Sequence, residues 1–228
     1  TLRMHRRLRL FLLSCLLFFF GSALFGQAPY FEDARNAVPP DARFPDLLSD
    51  GNRLIMLYQE VRGQGEEREA YIRGRTTLEG EEFSEPFTVA GPFSVQTETV
   101  PVIYNALVTR EGALYVAAVA TPQRSEIYRA EPGTTEFTRT ALVETEVTNV
   151  APRIYQAANG SLLLFVNQNI GVTQAILYSR SPDGENWSEF RRLEQDPEVG
   201  LTFLPSHTRI GERDFVVFQG LNLDLRGT

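Results

Sequence analysis

The sequence predicts an all-β fold, a β-propeller of four-stranded antiparallel blades, with about three and a half blades present. Three observations predict it. A pair of apolar strands around a glycine turn recurs along the chain, an aromatic turn motif recurs with the same period, and helical periodicity is hard to find while Gly and Pro interrupt the chain every few residues. A four-stranded unit that recurs every roughly 50 residues is typical of a propeller blade.

The strand pairs are the first marker of the repeat. The four copies read "FPDLLSDGNRLIMLYQ", "VPVIYNALVTREGALYVAAVA", "VAPRIYQAANGSLLLFVNQ" and "LTFLPSHTRIGERDFVVFQ". Each has a glycine in its turn and a proline near its start, and the prolines lie 56, 51 and 53 positions apart: Pro45, Pro101, Pro152 and Pro205. Runs such as "SLLLFV" and "ALYVAAVA" are typical of strands buried on both faces.

A turn motif gives the second marker. The stretch "SPDGENWSEFR" from Ser181 matches "TLEGEEFSEPF" from Thr77 without a gap, and "EPGTTEFTRT" is a looser copy. The aromatic residues Phe83, Phe137 and Trp187 stand 54 and 50 positions apart. Two markers with one period predict stacked blades, because a single sheet cannot bury both of its faces.

The chain is expected to have three parts. Residues 1–27 resemble a signal peptide, with arginines before an apolar run, an expected initiator at Met4 and cleavage near Gly26 or Ala28. The alternative is a membrane-spanning helix, for which the uncharged run 10–25 is short, since spanning needs roughly 18–20 residues. Residues 28–43 are then a linker and 44–228 a partial propeller, without a stable membrane span after cleavage. The expected location is outside the cytoplasm: periplasmic, secreted or at the cell surface.

The composition excludes several kinds of chemistry from the mature chain. The only cysteine, Cys15, lies in the leader, there is no lysine, and His207 is the only histidine besides His5. Disulfides, lysine Schiff bases and multi-histidine zinc sites are therefore excluded, and we expect neither metal nor cofactor. Removing the four leader arginines takes the formal charge from −7 to −11, which argues against nucleic acid as a partner.

The stretch "SPDGENW" resembles the Asp-box, or BNR repeat, of sialidase-like propellers, shortened by one residue. The resemblance implies a structural hairpin, formed by Ser181, Asp183, Gly184 and Trp187, away from the substrate face. Asp183 should accept backbone N–H groups in the turn, and Trp187 should be largely buried between blades. The resemblance implies a ring of six blades. Because about three and a half blades are present, the chain is expected to be a fragment whose reading frame continues past Thr228.

The catalytic residues of a sialidase do not emerge from the sequence. The family's first arginine usually stands in a Phe/Tyr-Arg-Ile-Pro stretch, whereas this chain has "ARFPD" at Arg43, and no catalytic residue can be assigned. The first hypothesis is therefore an exported, non-catalytic propeller that binds glycan or protein on its blade-top face. The alternative is a sialidase-like glycoside hydrolase whose remaining catalytic residues lie beyond the C-terminal end.

Polar and aromatic residues near the starts of the innermost strands are the candidates for ligand binding: Asp46, Tyr104, Asn105, Arg153, Tyr155 and His207. Asn167, Gln168 and Asn169 follow the third apolar strand and belong with them. The alternative is that these side chains satisfy the ends of strands and turns.

Overall fold

The computed structural model describes residues 42–78, 82–94, 103–145, 149–170, 173–193 and 201–221. These residues form fourteen strands and one three-residue 3₁₀ helix, Gly65–Glu67, and no α-helix occurs among them. None of the described helical residues forms a segment long and apolar enough to cross a membrane. The expected signal peptide, 1–27, and nearly all of the linker lie outside the described residues.

The strands fall into three blades and a final hairpin. Blade 1 has β1 (Arg43–Ser49), β2 (Arg53–Arg62), β3 (Glu69–Leu78) and β4 (Phe87–Ser94). Blade 2 has β5 (Tyr104–Val108), β6 (Leu114–Thr121), β7 (Arg124–Ala130) and β8 (Phe137–Glu144). Blade 3 has β9 (Asn149–Gln156), β10 (Leu162–Ile170), β11 (Thr173–Ser181) and β12 (Arg191–Arg192). The hairpin has β13 (Leu201–Ile210) and β14 (Arg213–Leu221).

Each blade is an antiparallel sheet whose strands follow one another in chain order. The β13–β14 hairpin joins blade 3 through a single parallel bridge between Gln174 and Leu201. The predicted all-β propeller blades, including the partial fourth unit, are confirmed by this topology.

A proline bulge marks the same place in three innermost strands. In β1, β9 and β13 two residues, the second of them Pro45, Pro152 or Pro205, stand opposite one residue of the partner strand. Proline cannot donate to the ladder, so the strand must bulge there. The preceding residues Phe44 and Ala151 have positive φ angles of 51° and 53°. The repeated prolines of the sequence are therefore repeated breaks in the innermost strands.

Two apolar layers hold the blades together. The first, between blades 1 and 2, includes Ile55, Leu57 and Val116, and the second, between blades 2 and 3, includes Ala117 and Leu164. Val116 and Ala117 are neighbours in β6 and are both fully buried. The prediction that the apolar runs are strands buried on both faces is thus confirmed, and each blade depends on its neighbours for burial.

The Ser181–Trp187 hairpin closes on itself through hydrogen bonds. The Ser181 Oγ accepts the Gly184 N–H at 2.8 Å, and Asp183 Oδ1 accepts the N–H groups of Glu185 and Asn186, each at 2.9 Å. The backbone bond from Asn186 is the largest of the effects that hold the pKa of Asp183 far below its usual range. Asp183 therefore stays ionised and shapes the turn, in the role expected from the sequence.

The hairpin also packs closely against the preceding blade, blade 2. Gly184 has a φ of 83°, and a Cβ placed there would lie 2.5 Å from Cε1 of Tyr115 in blade 2. The Tyr115 hydroxyl donates to the Asp183 carbonyl at 3.3 Å, and Thr140 Oγ1 donates to the Gly184 carbonyl at 3.0 Å. A glycine is required here because of both the backbone angle and the close approach.

Trp187 is partly buried at the interface between blades 2 and 3, where the sequence predicts it. It packs against the second apolar layer, while its indole N–H donates to the hairpin's own Gly184 carbonyl at 3.2 Å. The ring lies at the rim of the layer, where part of it meets solvent. The matching aromatic of blade 2, Phe137, stacks on Phe87 of blade 1 with ring centroids 6.3 Å apart.

We expect Gly184→Ala to lower the free energy of unfolding by about 2 kcal/mol more than Gly133→Ala. Both glycines have a positive φ, but a Cβ at Gly133 meets nothing within 4 Å, so that variant carries only the backbone cost. Urea unfolding of the two variants measures the difference. Equal losses would show that the contact with Tyr115 does not constrain the hairpin.

Candidate functional site

Side chains of the innermost strands bridge neighbouring blades. The Tyr104 hydroxyl, on β5, donates to the Phe44 carbonyl of β1 at 2.6 Å. Burial of Tyr104, together with the charge of Asp46, raises its pKa well above the usual value. The hydroxyl therefore remains a donor, and the bulged residue before Pro45 has its carbonyl satisfied by the next blade.

Two more candidate residues make bridges of the same kind. The Asn105 Oδ1 accepts the Ile154 N–H of β9 at 2.8 Å. The Tyr155 hydroxyl donates to the Pro205 carbonyl of β13 at 3.1 Å. Burial raises the pKa of Tyr155, so its hydroxyl keeps the proton that it donates. Three of the six candidates therefore join one innermost strand to the next.

Asp46, Asn105 and Arg153 occupy equivalent places on blades 1, 2 and 3. Their cross-strand partners are Leu57, Ala117 and Phe165, which correspond to one another in the second strands. An acid, an amide and a base thus form a row at one level of the innermost strands. All three are partly exposed.

A cavity of about 420 Å³ lies where the innermost strands run into their glycine turns, and we call it the axial cavity. Its size falls within the range of small-ligand sites, roughly 300–1,000 Å³. Residues of all four units line it, among them Ser49, Asp50, Leu107, Arg110, Tyr155, His207 and Arg209.

Tyr155 and His207 form the aromatic wall of the axial cavity. Their ring centroids lie 5.2 Å apart, and Phe165 supports Tyr155 edge-on at 5.9 Å. The His207 side chain is only 6% exposed, and its Nε2 lies 3.0 Å from Asp214 Oδ1. Asp214 in turn accepts the Ala158 N–H through both oxygens, at 2.9 and 3.1 Å. The wall is therefore fixed from behind by blade 3 and by β14.

The six candidates do not gather at one place near the strand starts. Tyr104 and Asn105 begin β5, but Tyr155 is the penultimate residue of β9, and His207 lies in the second half of β13. The strands β9 and β13 each continue past their proline, which marks the bulge. The axial cavity lies at the other end of the strand, next to the glycine turn. Only Tyr155 and His207 line the axial cavity.

The other residues singled out from the third apolar strand differ in burial. Asn167 is 6% exposed, and its Oδ1 has no hydrogen-bond partner among the described residues. Gln168 is partly exposed, and the Asn169 side chain lies outside what the structure describes.

Asp50 lines the axial cavity, and Asp214 lies behind its wall, against His207; both carboxylates accept hydrogen bonds from the protein. Burial acts to raise the pKa of Asp50, but bonds from the Arg53 side chain and from the turn backbone outweigh it and lower the pKa. Burial also acts to raise the pKa of Asp214, but the hydrogen bonds with the Ala158 N–H and with His207 outweigh this effect and lower the pKa. Both groups are therefore ionised. No cluster of three metal-ligating side chains occurs among the described residues.

Two arginines that line the axial cavity, Arg110 and Arg209, were not among the candidates predicted from the sequence. Arg110 is held in the turn, where its Nη2 donates to the carbonyls of Ala157 at 2.6 Å and Ala158 at 3.0 Å. Arg209 is exposed near the end of β13. The available signal was their position within two residues of the repeated turn glycines, Gly112 and Gly211.

No protein-family model matches the chain, and no curated protein matches its sequence. Solved structures with a similar fold include the α-L-arabinanase of Cellvibrio cellulosa, at 11% identity and a TM-score of 0.46, over 85% of this chain and 75% of that one. An exo-1,5-α-L-arabinanase from a bovine ruminal metagenomic library has 14% identity and a TM-score of 0.48, over 89% and 83%. An Aleuria aurantia lectin has 14% and 0.41, over 65% and 43%. At these values no residue role is transferred to this chain.

We expect the Asp214 contacts to make the attachment of the β13–β14 hairpin sensitive to acid. Because the pKa of Asp214 is lower in the folded chain, its contribution is complete above the unfolded value, about 3.9, and is lost as the pH falls through the folded value. The free-energy difference between wild type and Asp214→Asn should therefore narrow below about pH 4.

Urea unfolding at a series of pH values measures this difference. The control is Glu212→Gln, which changes an exposed carboxylate in the adjoining turn and leaves Asp214 with its contacts to Ala158 and His207. A difference for Asp214→Asn that is independent of pH would contradict the assignment.

Proposed function

We propose that the protein is an exported, non-catalytic propeller that binds a carbohydrate in the axial cavity. The observation that carries the proposal is the fixed aromatic pair of Tyr155 and His207 beside Arg110 and Arg209 in one cavity. The leader, the extracytoplasmic location and the sialidase-like subclass belong to this proposal.

The chemistry of the wall suits a sugar. A sugar ring has an apolar face that can lie on a tyrosine or imidazole ring, and hydroxyl groups at its edge that pair with guanidinium and carboxylate groups. The axial cavity supplies both kinds of surface on residues held by hydrogen bonds, so little ordering is needed when a ligand binds. Arg209 is exposed and lines the axial cavity, so its guanidinium group can reach a ligand there.

The carboxylates favour binding over hydrolysis. A glycoside hydrolase of the usual kind needs one carboxylic acid with a raised pKa as well as a carboxylate. The pKa values of Asp50, which lines the axial cavity, and of Asp214, which lies behind its wall, are both lowered, and both groups accept hydrogen bonds from the protein. Neither is held in the protonated form that a general acid needs. The arabinanases and the lectin among the similar structures act on or bind sugars, but the proposal rests on the cavity.

The expected result is that Arg209→Ala weakens sugar binding by about tenfold or more, the usual cost of a hydrogen bond to a charged group. The matched control is Arg213→Ala, an exposed arginine on the same hairpin that does not line the cavity. Calorimetric titration with arabino-oligosaccharides, fucosides and sialosides measures binding, and thermal melting checks the fold.

Equal affinities for the two variants, or no binding of any of these sugars by the wild type, would overturn the proposal. Release of free sugar from the same panel would favour the sialidase-like hydrolase instead.

A further inference from the structure

A second cavity lies between blades 2 and 3, next to the axial cavity, and we call it the seam cavity. Its volume is about 360 Å³, which also falls within the range of small-ligand sites. Thr109 and Gln156 line both cavities, so the two adjoin. The seam cavity has an apolar floor, formed by the buried residues Ala113, Tyr115 and Leu162, and a polar rim that includes Glu111, Arg129 and Asp183.

Gln156 is shared by the two cavities and is fixed in place. Its Oε1 accepts the Arg110 N–H at 2.9 Å, and its Nε2 donates to Glu111 Oε2 at 2.8 Å. The bond from Gln156 is the largest of the effects that lower the pKa of Glu111, so this carboxylate is ionised at the rim of the seam cavity. A ligand that extends from one cavity to the other would therefore cross a polar side chain that is already ordered.

Arg129 brings a cation to the seam cavity, and the protein holds it loosely. Its Cζ lies 5.8 Å from the centroid of the Tyr115 ring, and its Nη2 donates to Glu131 at 3.1 Å. The Glu131 side chain is 63% exposed, and ion pairs at such positions add little to stability. The Arg129 guanidinium can therefore exchange this partner for a ligand at little cost.

The corresponding cavity between blades 1 and 2, of about 560 Å³, is built differently. Tyr115 and Arg129 are paired across β6 and β7, and at the same place in blade 1 stand Ile55 and Thr76. Arg53, which lines this cavity, donates to two backbone carbonyls of blade 2 at 3.1 and 2.9 Å. Its guanidinium joins the blades, whereas that of Arg129 faces an exposed partner. The seam cavity is therefore the better of the two sites for a ligand.

We propose that the axial and seam cavities bind neighbouring units of one chain, so that the ligand is a neutral oligosaccharide. This inference rests on the proposed function, which places one sugar unit in the axial cavity. Arg129 and Glu111 then offer a charged donor and a charged acceptor to the hydroxyl groups of the next unit. The unit is neutral because the carboxylates of Glu111 and Asp183 outnumber the one guanidinium and would repel an acidic sugar.

Calorimetric titration with arabinose, glucose and their linear oligosaccharides of two to four units tests this assignment. Wild type should bind an oligosaccharide at least tenfold more tightly than its monosaccharide, the usual gain from a hydrogen bond to a charged group. Arg129→Gln should lose this gain with length and keep the wild-type affinity for the monosaccharide. Glu111→Gln, which retains an oxygen for Gln156, is the second variant and should reduce the gain as well. Thermal melting checks the fold of each.

Glu131→Gln is the matched control, because it removes the ion pair but leaves Arg129 at the seam cavity, and it should keep the full gain. Arg209→Ala should weaken the binding of monosaccharide and oligosaccharide by the same factor. If Arg209→Ala has this effect but affinity does not rise with length, or Arg129→Gln keeps the gain, or Glu131→Gln loses it, this inference falls and the proposed function stands. No binding of any of these sugars by wild type, or no effect of Arg209→Ala, overturns both.

Discussion

No blade of this protein buries both of its faces by itself, and the rest of the structure depends on that constraint. Val116 and Ala117 are adjacent in β6, yet one lies in the layer with blade 1 and the other in the layer with blade 3. The polar contacts follow the same pattern. Tyr115 of blade 2 fixes the hairpin of blade 3 at Gly184, and Tyr104 satisfies the bulge of blade 1. Each blade is completed by its neighbour.

The repeat could be predicted from sequence because its markers are local requirements of the backbone. Proline at the bulges and glycine at the turns reflect conformations that few other residues adopt, so their spacing gives the number of blades. The two turn motifs that align without a gap in sequence also make the same hydrogen bond. Ser84 accepts the Thr76 N–H and Ser188 accepts the Arg180 N–H, each at 3.1 Å.

The candidate site could be predicted only in part, because its partners are about one blade away in the chain. Asn105 accepts a hydrogen bond from the Ile154 N–H, and Tyr155 donates one to the Pro205 carbonyl. These side chains, which the sequence suggested for ligand binding, therefore join one blade to the next. Nothing near Tyr155 in the sequence indicates His207. The contacts of Asp214 that join β14 to blade 3 also hold His207 in the wall of the axial cavity. The proposed binding site therefore requires the stacked blades.

Fluorescence of Trp187, the only tryptophan, tests the dependence of one blade on the next most directly. The measurement is urea unfolding of Tyr115→Ala, followed by Trp187 emission and by far-ultraviolet circular dichroism. The substitution is in blade 2 and the fluorophore in blade 3. We predict that both signals change at one urea concentration, lower than in wild type, because the blades unfold together. A Trp187 transition that keeps its wild-type midpoint would contradict the account.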